Sequence, residues 1–248
     1  MKMLKLQKKL LSGTGALSVI VATSIMSIAS NVYAGEGGVT VTSNPSFYLG
    51  ADAVYSKTGF KKNYGDNTFA KSAPGINIFV GHMFNDNFGL EVGYEFEKKQ
   101  KKNGNLNDGL NEGVYFVGQP VPADVVLSFK SEIKQRHPYL GLIGNVNIND
   151  NFFAQALAGV SVSNINAKCT YVENQYNQSG NLRFSKTKPI AMVRLSIGYK
   201  LTDKFDLRAY TTWRNTSRFK VVAEGLKAMS IKLKDTYNVG LGVVYHIV

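Results

Sequence analysis

Phe84-Asn85-Asp86-Asn87-Phe88 opens the stretch that decides the fold, and Gly89-Leu90-Glu91-Val92-Gly93-Tyr94-Glu95-Phe96-Glu97 follows it in strict alternation. Phe88, Leu90, Val92, Tyr94 and Phe96 share one face; Gly89, Glu91, Gly93, Glu95 and Glu97 share the other. A polar turn ahead of a period-two pattern reads as a β-hairpin arm with one greasy and one charged side. The unit recurs twice, as Ile148 to Phe152 across Asn149-Asp150-Asn151 and as Leu201 to Phe205 across Thr202-Asp203-Lys204. After the third turn, Phe205, Leu207, Ala209, Thr211 and Trp213 oppose Asp206, Arg208, Tyr210, Thr212 and Arg214. Three such hairpins, far apart in the chain, suggest an up-and-down sheet with its short connections on one side.

Working outward from these turns gives eight strands, at about 46-56, 75-84, 88-98, 127-147, 152-163, 189-201, 205-214 and 235-247. Most are near the 9 to 11 tilted residues that cross a bilayer as a strand. Pro138 interrupts the fourth, which marks a bulge or an edge position there and leaves its upstream half for an extended rim. An even strand count closes the sheet with both termini on one side and no free edge. Segments 57-74, 99-126, 164-188 and 215-234 are then long loops at the opposite end.

Alternation alone also fits a soluble, lipocalin-like barrel. The N-terminus decides between them. Lys2, Lys5, Lys8 and Lys9 precede an apolar, small-residue stretch, and Val32-Tyr33-Ala34 fits the cleavage rule of a secretory signal peptide. The expected organisation is a signal peptide over 1-34, a short linker over 35-45 and a barrel over 46-248. Cleavage removes four lysines and no acid from a formal charge of +12, so the mature chain stays basic. Cys169 is the only cysteine, which excludes an intrachain disulfide framework, and its position away from the cleavage site argues against a lipoprotein.

Magnitudes orient the faces. An Arg or Lys on the lipid side at midplane costs about 2 to 4 kcal/mol, so Arg194 and Arg208 belong inside. There they meet Glu91 and Glu95 as lumen ion pairs. Phe47, Phe84, Phe88, Tyr199, Phe205 and Tyr245 fall near the terminal side, as an interfacial aromatic girdle requires. The fold expected is all-β: an eight-stranded antiparallel up-and-down transmembrane β-barrel.

With Gly81-His82-Met83-Phe84-Asn85-Asp86-Asn87-Phe88-Gly89-Leu90-Glu91-Val92-Gly93-Tyr94 and the closing Val239-Gly240-Leu241-Gly242-Val243-Val244-Tyr245, the chain resembles a known family. It is similar to the small outer-membrane β-barrels of Gram-negative bacteria, which include the OmpA transmembrane domain and opacity-type surface proteins. The resemblance covers essentially the whole mature chain and implies outer-membrane location, periplasmic termini and insertion by the barrel-assembly machinery. It also implies opposed charges in the lumen, most directly at Glu91. No peptidoglycan-binding domain follows the last strand, so tethering to the cell wall is not expected. Val248 stands where an aromatic is usual, with Tyr245 and Ile247 keeping the register, which implies weaker or more tolerant recognition by that machinery.

The long loops hold most of the excess positive charge: Lys57, Lys61, Lys62 and Lys71; Lys98, Lys99, Lys101 and Lys102; Lys168, Arg183, Lys186 and Lys188; Arg218, Lys220, Lys227, Lys232 and Lys234. Against them stand Asp66, Asp108, Glu112, Asp124, Glu173 and Glu224. Such a field attracts lipopolysaccharide, outer-membrane lipid, and host glycans or surface proteins; the plainer alternative is a solvated rim. Export removes nucleic acid as a partner. The leading expectation is a non-enzymatic surface barrel serving envelope structure or adhesion. The alternative is a narrow porin-like channel gated by the lumen ion pairs. His82, His137 and His246 lie on different strands and pair with no Ser and acid by local spacing, so no catalytic, cofactor or metal site is expected.

Overall fold

The computed structural model describes residues 46–62, 64, 66, 68–107, 115–117, 119–120, 126–173, 178–216, 220–224 and 226–247. The signal peptide and linker expected over 1-45 lie outside these, as do Asp108, Glu112, Asp124, Arg218, Val248 and the side chain of Lys227. The strands are β1 (Ser46–Phe60), β2 (Ser72–Met83), β3 (Phe88–Glu97), β4 (Gln100–Asn107), β5 (Tyr115–Phe116), β6 (Gln119–Pro120), β7 (Val126–Asn147), β8 (Phe152–Glu173), β9 (Gln178–Lys200), β10 (Phe205–Arg214), β11 (Lys220–Ala223) and β12 (Leu226–Ile247). β1, β2, β3, β7, β8, β9, β10 and β12 pair in that order, all antiparallel, and β12 pairs back onto β1. The fold is therefore a closed ring of eight strands. β4 carries the line of β3 further along β7, and β11 lies between β9 and β12 beyond the end of β10.

The three turns are built alike. In each, the residue before the Asp accepts two backbone N–H groups. Asn85 Oδ1 takes those of Asn87 and Phe88 at 2.9 and 2.8 Å, and Asn149 Oδ1 those of Asn151 and Phe152 at 3.0 and 2.8 Å. Thr202 Oγ1 takes those of Lys204 and Phe205 at 3.2 and 3.1 Å. These are Asx- and ST-turns, so the side chain that shapes each turn is Asn or Thr and not the Asp that follows.

Seven of the eight ring strands differ in their bounds from the sequence expectation, and β8, β9 and β12 do so by many residues. β7, β8, β9 and β12 run for 22, 22, 23 and 22 residues, well beyond what a bilayer needs. The segments 164-188 and 215-234 are therefore largely strand and not loop, and strand also enters both ends of 57-74 and much of the described part of 99-126. β8 shows why. Its outward row runs Ala154, Ala156, Ala158, Val160 and Val162, then changes to Asn164, Asn166, Lys168 and Thr170. Its inward row runs Phe153, Gln155, Leu157, Gly159, Ser161 and Ser163, then changes to Ile165, Ala167 and Cys169. Alternation never stops; its polarity inverts. Beside lipid the outside is apolar and the lumen mixes charged and polar groups with buried aromatics and aliphatics, and above that band the wall meets water and encloses an apolar core.

Pro138 makes neither a bulge nor an edge. It pairs with Tyr94 on β3, and the β7–β8 register is unshifted between Arg136–Asn164 and Tyr139–Ser161. The missing N–H leaves a gap in the ladder, and Ser161 Oγ donates to the Pro138 carbonyl at 3.2 Å. The aromatic girdle lies outward at the turn end, with Phe47 stacked on His82 and with Phe152 tilted against Tyr199 and Phe205 against Tyr245. Tyr55, Phe96 and Tyr237, with Tyr94 beside Phe96, form a second girdle eight positions from Phe47, Phe88 and Tyr245 along the strands. At about 3.3 Å per residue and a tilt of about 40°, that spacing approaches the ~25 Å height of an outer-membrane band.

The inversion is testable at matched outward positions. Leu241→Arg, in the band at 62% exposure, is expected to cost about 2 to 4 kcal/mol, whereas Asn166→Arg stays within about 0.5 kcal/mol of wild type. Urea unfolding of the barrel in lipid vesicles measures both. Equal costs would contradict the inversion.

Candidate functional site

Inward positions of β1, β7, β9 and β10 converge on Glu91 of β3, which is fully buried. Arg194 Nη1 donates to its Oε1 at 2.6 Å, and Arg208 Nη1 to its Oε2 at 2.8 Å. Tyr139 and Tyr48 hydroxyls donate to the same two oxygens at 2.8 and 3.1 Å. Arg208 also reaches Asp52 Oδ2 at 3.1 Å, which takes a second bond from Asn77 Nδ2 at 2.8 Å. Aromatic faces cover the guanidiniums: Arg208 lies 4.0 Å over Phe79, and Arg194 4.4 Å over Tyr210. Charge-assisted bonds of this kind offset the desolvation that burying each ion costs.

One layer further from the turns, Arg214 grips Glu95 bidentately at 3.0 and 2.6 Å, and Asn238 Nδ2 bonds both oxygens at 2.9 and 2.8 Å. The structure thus gathers Arg194 and Arg208 on Glu91 alone, while Glu95 has Arg214. Asp52, Arg214 and Asn238 are members of this network that the sequence argument did not single out. All three stand on inward rows, which is the signal that could have found them.

Small residues make room for the aromatics. A Cβ on Gly93 would stand 2.3 Å from the Tyr139 ring, and one on Gly240 would stand 2.2 Å from Tyr210. Flat glycine backbone on one strand lets the ring of its neighbour lie across the lumen.

Beyond the ion pairs the lumen is packed with hydrocarbon. Phe60, Leu127, Phe129, Ile133, Ile165, Leu182, Phe184, Ile231 and Leu233 line it, and Phe69, between β1 and β2, drops into the centre. Phe69 meets Phe60 at 5.9 Å and Phe184 edge-on at 6.1 Å. Phe116 and Val117, at the β5–β6 turn, close over Phe129 and Tyr171. Cys169 belongs to this core at 1% exposure, so it is not a loop thiol. Burial pushes its thiol up to about 12. A thiol-exchange reagent at pH 8 is therefore expected to leave Cys169 untouched in the folded barrel and to modify it once urea unfolds the chain; fast reaction when folded would contradict the packed core.

At the turn end the lumen opens into a vestibule of about 550 Å³, lined by Met83, Phe153 and Val244 and reaching Tyr48 and Arg208. The histidines are dispersed. His82 faces outward against Phe47, His246 Nε2 meets Asp206 Oδ2 at 2.6 Å beside the vestibule, and His137 is buried in the lumen. Among the described residues no group of three or more His, Cys, Asp or Glu is placed to hold a metal ion.

The basic residues divide by location. Lys61 and Lys62 follow β1, and Lys98 and Lys99 link β3 to β4. Lys101 and Lys102 are on β4, Lys186 and Lys188 on β9, and Lys232 and Lys234 on β12. The densest array is a part of the wall that no loop reading anticipates. Lys101, Glu132, Lys168 and Arg183 are cross-strand neighbours on β4, β7, β8 and β9, and Lys130, Lys134 and Arg136 flank them. All but Glu132 are exposed, and Asn166, Thr170, Asn181 and Ser185 fill the spaces between. Glu132 is held by Lys99 at 2.5 Å, a hydrogen bond that keeps its carboxyl below the usual carboxylate range.

Solved structures similar to the chain include Ail, the attachment invasion locus protein of Yersinia pestis, in complex with the heparin analogue sucrose octasulfate, at 13% identity and TM-score 0.40, covering 82% of this chain and 97% of that one. OprG from Pseudomonas aeruginosa is 14% identical with TM-score 0.48, covering 82% and 96%. The outer membrane protease OmpT from Escherichia coli is 12% identical with TM-score 0.41, covering 86% and 99%. No curated protein matches the sequence. The outer membrane protein beta-barrel domain family matches residues 18–246, nearly the full length, and the chain belongs to that family.

Proposed function

We propose that this outer-membrane barrel is a non-enzymatic surface protein whose raised wall binds sulfated or phosphorylated carbohydrate, as host glycan or as neighbouring lipopolysaccharide, after export by a cleaved signal peptide. The observation that carries the reading is the exposed β-face above the lipid band, where six cations surround one already paired carboxylate. Flat sheet spaces side chains about 4.8 Å apart between strands, so several anionic groups of one chain can be met at once. Interleaved amides and hydroxyls add neutral hydrogen bonds. Fixed positions on paired strands lose less entropy on binding than loop side chains do.

Detergent-folded protein is expected to be retained on immobilised heparin and on lipopolysaccharide vesicles at about 0.15 M salt, where charges remain coupled over about 8 Å. Lys168→Glu with Arg183→Glu should weaken retention at least about tenfold, equivalent to ~1.4 kcal/mol. Equal retention of wild type and double variant would overturn the proposal. For the channel alternative, a lumen closed by ion pairs and then by hydrocarbon supports no conductance. Planar-bilayer recordings are expected to show no discrete steps, and steps that Glu91→Ala alters would favour the gated pore instead.

A further inference from the structure

Between the Glu95–Arg214 pair and the apolar plug lie buried polar atoms with no hydrogen-bond partner: both carboxylate oxygens of Glu97, both ring nitrogens of His137, Oε1 of Gln135 and Oγ of Ser163. Glu97 is 4% exposed, Gln135 1%, and His137 and Ser163 are fully buried. The four are neighbours. His137 stands opposite Glu95 across β3–β7, and Glu97 is the next inward position on β3. Gln135 is the next inward position on β7, and Ser163 faces His137 between the pairs Arg136–Asn164 and Tyr139–Ser161. His137 Nε2 lies 3.5 Å from Glu97 Oε1.

Charge makes the cluster more demanding than a few unmet hydrogen bonds. Above the vestibule the described lumen buries the carboxylates of Asp52, Glu91, Glu95 and Glu97 against the guanidiniums of Arg194, Arg208 and Arg214. Every guanidinium is committed to one of the first three carboxylates. Glu97 is left with His137 alone, which carries a compensating charge only as imidazolium; beside a neutral imidazole, a buried carboxylate is strongly destabilising. Neutral water can satisfy an amide or a hydroxyl, but it supplies no charge.

We infer that Glu97 and His137 hold one divalent first-row metal ion, with Gln135 Oε1 and Ser163 Oγ completing its donor set. Imidazole nitrogen with carboxylate oxygen is the ligand pair that zinc-like ions favour. Two ligand atoms of a tetrahedral ion with bonds of about 2.0 to 2.1 Å stand roughly 3.3 Å apart, close to the observed His137–Glu97 separation. The amide and hydroxyl oxygens take the places that a third and fourth imidazole or carboxylate fill elsewhere. Ile133 and Ile165, the next inward positions on β7 and β8, begin the apolar core on one side of the site, and the Glu95–Arg214 layer lies on the other. The ion must therefore enter while the barrel closes, and it exchanges slowly afterwards.

The test is to refold the full chain from urea into detergent with equimolar Zn²⁺, treat it with EDTA, desalt it, and count metal by mass spectrometry. Heat-modifiable gel mobility verifies folding. Wild type is expected to retain close to one ion per chain, and His137→Ala and Glu97→Gln below about a tenth of that. Glu97→Gln removes the surplus charge, so it folds at least as readily as wild type and keeps the test decisive if His137→Ala fails to close. Co²⁺ in place of Zn²⁺ should give wild type a visible ligand-field spectrum that Glu97→Gln lacks. Wild type that retains no ion, or a folded Glu97→Gln variant that retains as much as wild type, overturns the assignment.

Discussion

Glu91→Ala is expected to destabilise the folded barrel by about 3 to 5 kcal/mol, because it strands one buried guanidinium and takes from a second one of its two carboxylates. Arg208 keeps Asp52, but Arg194 loses its only acidic partner. The hydroxyls of Tyr48 and Tyr139 lose an acceptor in the same step. Urea unfolding in detergent, read by tryptophan fluorescence, gives the change from the midpoint at constant slope. A loss under about 1 kcal/mol would mean that water reaches the pair and screens it. Glu95–Arg214 supplies the control, since both members can be neutralised together. Glu95→Gln with Arg214→Met should cost less than Arg214→Met alone, because breaking a buried pair leaves a naked charge while removing both does not.

The lumen pairs form a plug more than a set of independent contacts. Glu91 bonds to partners 103 and 117 residues away in sequence, so they can meet only after the ring has closed. Their stabilisation therefore arrives late and all at once, which ties register on every strand to one buried carboxylate. A one-residue slip would turn Arg194 or Arg208 into lipid. This is a physical reason for placing the charges on the inward rows of β3, β9 and β10, and it does not require conduction.

How far the sequence could be read follows from the same physics. Lipid accepts only one kind of outward row, so the stretch from Phe88 to Phe96 and its counterpart from Phe205 to Trp213 reveal strand, face and solvent together. Glu91, Arg194 and Arg208 followed because the opposite row must be inside. Above the bilayer that constraint lapses. Asn164, Asn166, Lys168 and Thr170 look like loop composition, although they are the wet face of a strand whose inner row is Ile165, Ala167 and Cys169. Pattern recognition tuned to an apolar exterior stops at Val162, where the polarity inverts. Phe69 and Phe116 were illegible for a different reason: they lie on short segments with no period, and only the closed barrel gives them a cavity to fill. Arg214 was passed over because it ends its strand, and the local sequence says nothing of Glu95 across the lumen.

The raised wall has consequences for stability that the lipid band does not share. Phe184→Ala is expected to cost about 3 to 5 kcal/mol, the range for truncating a buried aromatic in a packed core. Phe184 is 1% exposed, meets Phe69 edge-on, and stands opposite Ala167 and Ala223 on the adjoining strands. Those alanines are too small to close the space, so the cavity persists and Phe69 loses the surface that holds it down. The loss should stay above the bilayer, because the Glu91 and Glu95 layers share no side chain with this core. Opening of the top without unfolding of the ring is the sub-global kind of transition that proteolysis detects. In intact cells an added protease should cut Phe184→Ala between residues 61 and 71 at least tenfold faster than wild type, while the membrane-embedded remainder keeps its heat-modifiable mobility. If the cleavage rate is unchanged, Phe69 is anchored by something other than this packing; if the mobility shift is lost as well, the two halves of the barrel unfold as one unit and the apolar plug supports the ion-pair layers beneath it.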